Sequence, residues 1–155
     1  MKLYLLRHAE AEAEVGADDP RRRLTRKGRR DARALGKALG RHKLRVRTIW
    51  HSGYDRAEQT AEEVAPHLRG PARLLKQRGL TPGDSVANAA KRLAKEKNDV
   101  MIVGHEPFLG KLAAQLVLSR ASVALVRLRK PSVVCLERDD EDDGWRISWM
   151  LPVKV

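Results

Sequence analysis

The chain opens on KLYLLR (residues 2–7), an almost unbroken apolar run that stops at Arg7-His8 before the sequence turns acidic through AEAEAE. A run this short and this apolar predicts a buried strand. A loop rich in Glu, Asp and Gly follows, through Pro20. The period then changes: Leu24, Ala32, Leu35, Ala38 and Leu39 recur at helical spacing behind Thr25, a suitable N-cap, with basic residues on the outer face. Gly28 and Gly36 weaken that helix. TIWHS (48–52) predicts a second strand, ended by Gly53, and Ala57, Ala61, Val64, Ala65 and Leu68 predict a helix over 54–68. ARLLK (72–76) is a third strand, LTPGDS (80–85) a turn and helix start, and Val86, Ala89, Ala90, Leu93 and Ala94 mark a third helix.

DVMIVG (99–104) is continuously apolar, as a strand in the middle of a parallel sheet requires. Pro107 opens a further helix through about Leu118, at the first-turn position that proline favours. The last third changes character. VALVRL (123–128), SVVCLER (132–138) and WRISWML (145–151) predict strands, with a hairpin turn at Asp143-Gly144 and a solvated turn at DDEDD (139–143). Four strand–helix alternations followed by three strands imply a three-layer α/β/α sandwich, its central sheet mostly parallel with an antiparallel C-terminal edge. No linker or repeat divides residues 1–155, which predicts one domain.

Composition narrows the class. Aromatic residues are 4% of the chain, so the core must be built mainly from Leu, Val, Ile and Ala. Cys135 is the sole cysteine; it excludes an internal disulfide and a cysteine-rich zinc site, and is expected to pack in a strand. No leader-like apolar segment precedes the first strand, and no stretch approaches the roughly 18 apolar residues of a membrane span, so a soluble cytoplasmic protein without membrane contact is expected. Thirteen Lys or Arg between Arg21 and Arg47 face one acid, Asp31, so that stretch carries the whole formal excess of +12. Such a field can steer acidic or phosphorylated partners, or be a merely solvated helix face. No aromatic side chain interrupts it, which argues against a single-strand nucleic-acid platform.

Three strand-to-helix junctions carry polar residues of one kind: Arg7-His8, then Arg56 within SGYDRAEQTA, then His105 within GHEP. In a parallel sheet these junctions share one edge, where ligands bind. Two arginines, two histidines and helix N-termini converging there make an anion site, with phosphate as the obvious anion. Plainer readings exist. Arg7 could pair with Glu10 or Glu12, and Arg56 with Glu62 or Glu63, as surface ion pairs worth little. His105 could be a satisfied core histidine, and His51 a structural strand-end residue. His42 and His67 sit near helix C-termini, which favour positive charge.

RHA near the N-terminus, S-x-Y-x-RA-x-QTA in the middle and GHEP near residue 105 resemble the histidine phosphatase superfamily. PRRRLTRKG (20–28), LTPGD (80–84) and the short chain resemble its small phosphohistidine phosphatase branch, the SixA-like proteins. The resemblance runs from Lys2 to about Leu118. It implies a phosphoglycerate-mutase-like fold, and His8 as a nucleophile that is transiently phosphorylated and then hydrolysed. It further implies Arg7, Arg56 and His105 as phosphate ligands, with no metal or cofactor because the arginines neutralise the charge. The expected substrate is phosphohistidine in a signalling or phosphotransfer protein. The rivals are a small-molecule phosphomonoesterase and a non-catalytic phosphoprotein- or nucleic-acid-binding module.

Two positions depart from the family pattern: Ala9 replaces the usual Gly, and Gly53 the usual Pro. The general acid is the open position. Larger relatives carry a glutamate on an inserted segment, for which the span from Lys76 to Asp99 is too short. Asp84 is the best substitute, although it could equally be the N-cap of the third helix. Glu106 and Glu10 follow.

Overall fold

The computed structural model describes residues 1–14, 16, 19–139 and 144–152. Strands β1 (Lys2–Arg7), β2 (Thr48–His51), β3 (Arg73–Lys76) and β4 (Val100–Gly104) are parallel, and β5 (Ser132–Arg138) and β6 (Trp145–Pro152) complete one six-stranded sheet. Its order is β3-β2-β4-β1-β5-β6, with β5 antiparallel to both β1 and β6. Helices α1 (Arg26–Arg41) and α2 (Asp55–Val64) cover one face; α3 (Val86–Lys95) and α4 (Phe108–Leu118) cover the other.

Period-two alternation explains the two cores. Leu3, Leu5, Val100 and Ile102 pack towards α3 and α4, while Tyr4, Leu6, Met101 and Val103 pack towards α1 and α2. Both faces of β1 and β4 are therefore buried, which is why their sequences read as continuous apolar runs. Thr25 caps α1 as its position predicts, its hydroxyl accepting the Gly28 N–H at 2.9 Å. Gly28 has a packing reason as well: a Cβ there would stand 2.0 Å from the Glu10 carbonyl oxygen, so the start of α1 lies directly against the loop leaving β1. The second helix is shorter than the apolar spacing predicts. Its α-helical part ends at Val64 and a 3-10 turn spans Ala65–His67, as Pro66 lacks the N–H needed to continue it. Pro107 is the N-cap of α4 rather than a first-turn residue. Cys135 is buried in β5.

VALVRL is not a strand, so the described C-terminal strands number two, β5 and β6. Both edges of β1 are already taken by β4 and β5. The segment instead crosses the start of α4. Leu125 N donates to the Gly110 carbonyl at 3.0 Å, and Leu128 N to the Glu106 carboxylate at 2.8 Å. Its apolar signal records packing rather than strand pairing: Leu128 is fully buried, Leu125 and Val126 pack partly against the same core, and Val123 is 60% exposed. The predicted turn at Asp143, and 140–143 of the DDEDD stretch, lie outside the described residues.

The strand order sets three adjacent C-terminal ends side by side. Arg7 of β1 is in register with Gly104 of β4, and His51 of β2 with Val103. Residues immediately after these strands meet there.

Candidate active site

His8 leaves β1 with its backbone N–H on the Gly104 carbonyl at 3.0 Å and its ring buried. Nδ1 lies 2.7 Å from the Ala9 carbonyl oxygen. A carbonyl only accepts, so Nδ1 carries the proton and Nε2 keeps its lone pair. Arg56 Nε donates to that lone pair at 3.2 Å. Burial pushes the His8 pKa down to about 2; the His105 ring, Arg56 and Lys130 add to the fall, and the bond to Ala9 opposes it. The result is a neutral imidazole of fixed tautomer.

Arg56, in the first turn of α2, is buried and held from three directions. Beyond its bond to His8, NH1 donates to the Asp19 carbonyl at 2.7 Å and NH2 to Asp19 Oδ2 at 3.1 Å. Its guanidinium also lies 4.9 Å from the centre of the Tyr54 ring. Asp19 Oδ1 takes Arg22 Nε at 2.7 Å and Arg22 NH2 at 2.6 Å. Burial opposes ionisation of Asp19, but the bonds and charges of Arg22 and Arg56 outweigh it and hold the carboxyl below its ordinary range.

His105 follows β4, with its ring centre 5.1 Å from that of His8 and the planes inclined at 53°. Its Nε2 lies 2.6 Å from Ser52 Oγ, and its Nδ1 is buried without a protein partner. Burial pushes its pKa down to about 3, Arg56 lowers it further, Asp19 opposes, and Arg7 and Arg22 add smaller falls. Arg7 NH1 donates to the Leu128 carbonyl at 2.6 Å, while Arg7 Nε is buried without a partner. Two unsatisfied buried nitrogens cost roughly 1–3 kcal/mol each, and such a cost marks a place built for a partner.

The four residues read from the strand-end junctions thus share one cluster, and the surface-pair readings of the arginines give way. Arg7 binds a backbone carbonyl and Arg56 binds Asp19 and His8, whereas Glu63 takes Arg29 and Arg33 and Glu12 takes the Arg23 amide. The three predicted acids are engaged elsewhere. Asp84 Oδ2 accepts from the Thr81 amide and hydroxyl, both at 2.7 Å, and the N-cap of α3 is Ser85, not Asp84. Glu106 accepts the Gly110 and Leu128 amides, tying α4 to the crossing segment. Glu10 accepts from the Thr25 hydroxyl and pairs with Lys27. His51 is buried beside the site with Nδ1 unpartnered; His42 caps α1 through its backbone.

Sequence reasoning missed Asp19, Arg22 and the part played by Ser52. Arg22 lies in PRRRLTRKG and Ser52 in S-x-Y, so both fall inside stretches that carry the resemblance. Nothing in the spacing ties Asp19 to a residue thirty-seven positions away. The rest of the second motif also acquires a reason. Thr60 Oγ accepts the Ala9 N–H at 3.0 Å and donates to the Arg56 carbonyl at 2.6 Å, and Gln59 accepts the Leu24 amide. Ala9 fits where glycine is usual, fully buried against Leu24 and Ala32. Gly53 has φ +85°, which proline cannot adopt, so this turn differs in backbone from a proline turn while still delivering Arg56.

A mostly parallel α/β sheet presenting two neutral histidines, a buried arginine and a half-buried one at its strand ends defines a phosphate-handling protein. Residues 3–80 match the histidine phosphatase superfamily (branch 1), and the chain belongs to that superfamily of phosphatases. It is 28% identical to the phosphohistidine phosphatase SixA of Escherichia coli (strain K12) over 152 residues, 96% of this chain and 94% of that one. A solved structure of the protein histidine phosphatase SixA complexed with tungstate superposes with a TM-score of 0.87 at 25% identity, covering 99% of this chain and 97% of that one. A phosphoserine phosphatase from Entamoeba histolytica, solved with 3-phosphoglyceric acid, shares the fold with a TM-score of 0.70 at 16% identity, covering 99% and 98%. Among the described residues no helix is long and apolar enough to cross a membrane.

Proposed function

We propose that the protein removes phosphate from phosphohistidine in other proteins, without a metal, through a covalent phosphohistidine on His8. The observation that carries this is the fixed tautomer of His8, whose bare Nε2 faces the Arg56 guanidinium. As the phosphoryl group enters, its oxygens replace Nε2 as the acceptor of the Arg56 N–H. The Nε2 lone pair then attacks phosphorus in line and a new N–P bond forms, while the N–P bond to the substrate ring, protonated on its other nitrogen, breaks with its electron pair and releases neutral imidazole. Water attacks the phosphorylated His8 in the second step and releases inorganic phosphate. Arg7 and Arg56 neutralise the equatorial oxygens with planar, permanently charged donors, and His105 donates to them.

The acid supports the choice of substrate. Asp84 is the proposed proton donor, yet a departing imidazole has a conjugate acid of pKa about 6.5 and needs little assistance, unlike an alkoxide. Likeness to SixA supports the same substrate class.

Mixing the protein with a histidine-phosphorylated phosphotransfer domain, quenching in alkali and mapping acid-labile phosphate tests this. Label on His8, absent in His8→Ala together with turnover, is the expected result. Turnover without a His8 adduct overturns the mechanism. Faster turnover of simple phosphate esters than of the phosphoprotein identifies a small-molecule phosphomonoesterase, and binding that survives loss of His8 with no turnover identifies a non-catalytic module.

A further inference from the structure

Ser52 stands one residue beyond β2, buried, with Oγ 2.6 Å from His105 Nε2. The same oxygen accepts the Tyr54 N–H at 3.2 Å. A serine hydroxyl has one proton to give and two lone pairs to fill. The Tyr54 amide fills one lone pair, and the short contact left for the hydroxyl proton is His105 Nε2. A proton directed at Nε2 requires that nitrogen to be bare, which places the ring proton of a neutral His105 on Nδ1. That atom is the buried ring nitrogen without a protein partner.

We infer that Ser52 is a positioning residue: its hydroxyl locks His105 in the Nδ1–H tautomer, so that the buried Nδ1–H is the donor presented to a phosphoryl oxygen. The inference rests on the phosphoryl-transfer reading of the site and adds to it which nitrogen acts and what decides it. The opposite tautomer would turn a nitrogen lone pair towards an anionic oxygen and repel it. The two histidines are then held in complementary states by their neighbours. The Ala9 carbonyl takes the Nδ1 proton of His8 and leaves Nε2 as nucleophile; the Ser52 hydroxyl occupies Nε2 of His105 and leaves Nδ1–H as donor. Each ring nitrogen of the pair has one task, and exchanging either tautomer abolishes it.

The test is proton–nitrogen correlation spectroscopy of the ligand-free, nitrogen-15-labelled protein at pH 7.5, with His105→Gln assigning the resonances. Wild type and Ser52→Thr are expected to show His105 protonated on Nδ1, and Ser52→Ala a mixture or the Nε2–H form. In Ser52→Ala, kcat/KM on a phosphohistidine protein is expected to fall about ten-fold, with inhibition by inorganic phosphate weakened in parallel. Ser52→Thr, which keeps the hydroxyl, is expected to restore both. A wild-type His105 protonated on Nε2, or a Ser52→Ala protein that keeps the Nδ1–H form, overturns the inference. The spectra need no turnover, so the two readings fail separately. Spectra as expected with no phosphate released refute the catalytic reading, whereas intact turnover with the wrong tautomer refutes the role of Ser52.

Discussion

Lowering the pH from 7.5 to 5.0 in phosphate-free buffer is expected to destabilise the fold steeply. Native His8 and His105 refuse a proton until about pH 2 and about pH 3, because burial and neighbouring cations penalise the charged rings. In the unfolded chain the same groups titrate near pH 6.5. Between these values the unfolded state binds more protons, so stability is fully present above pH 6.5 and declines as pH falls below it. Each ring then withdraws about 1.4 kcal/mol per pH unit, hence about 2 kcal/mol at pH 5.0 and roughly 4 kcal/mol for the pair. His51, whose pKa burial also lowers, acts in the same direction. That total is a large share of the roughly 5–15 kcal/mol that holds a typical domain together. Asp19 and Glu10 sit below the ordinary carboxylate range and lose their contribution only at lower pH, which leaves the window from 5.0 to 6.5 to the histidines. Urea unfolding at four pH values reads the slope directly, and His8→Asn and His105→Asn should each flatten it. A wild-type stability at pH 5.0 within about 0.5 kcal/mol of that at pH 7.5 would refute the premise that these rings are buried and neutral.

Thr60→Val keeps the shape of a fully buried side chain but strips the acceptor from the Ala9 N–H, so calorimetry should show a loss of about 1–3 kcal/mol. Turnover should fall with it, because Ala9 also fixes the His8 tautomer. Gly28→Ala drives a Cβ to 2.0 Å from the Glu10 carbonyl oxygen, and denaturant unfolding should register a cost of about 1–3 kcal/mol as the loop behind His8 is pushed away. Reversing charge at Arg29, Arg30 and Arg33 should lower kcat/KM for an acidic phosphoprotein at low salt and flatten its salt dependence, leaving a small phosphate ester unaffected. A rate indifferent to both charge reversal and ionic strength would remove the basic face from recognition.

Strands and helices were legible wherever one face or both are buried, because the apolar period then records the packing. The same logic placed Arg7, His8, Arg56 and His105: each stands where an apolar run ends at the edge that a parallel sheet offers to ligands. VALVRL misled because an apolar run reports burial and not hydrogen-bond partners, and the ladder edges of β1 belong to β4 and β5. Charge counting misled in a different way. Arg29 and Arg33 look like free cations in sequence, yet both reach Glu63 on α2, and the lone acid Asp31 is buried against Lys27. Asp19 was illegible because its partners are set by how a loop folds back over α2, and no local pattern encodes that.

The placement of carboxylates bears on which phosphate bond the site is suited to break. Asp19 is the carboxylate hydrogen-bonded into the cluster, and three bonds from Arg22 and Arg56 keep it ionised. An acid held in its charged form has no proton to give a leaving group. Glu10 is likewise held below its ordinary range, by Thr25 first and Lys27 after it, while Glu106 accepts two backbone amides and Asp84 accepts the Thr81 amide and hydroxyl. Among the described residues, Asp19 and Glu10 are thus kept ionised, and Asp84 stands as the one proposed proton donor at a site rich in cations. Such a site stabilises charge on a transferring phosphoryl group well and assists a poor leaving group badly. The proposed substrate fits that imbalance, because an imidazole departs without strong assistance and an alkoxide does not. Asp19→Asn would leave the backbone contact to Arg56 in place while removing the charge that holds it. If the esters gained from that substitution as much as the phosphoramidate lost, the arginine clamp rather than the shortage of protons would be what selects the substrate.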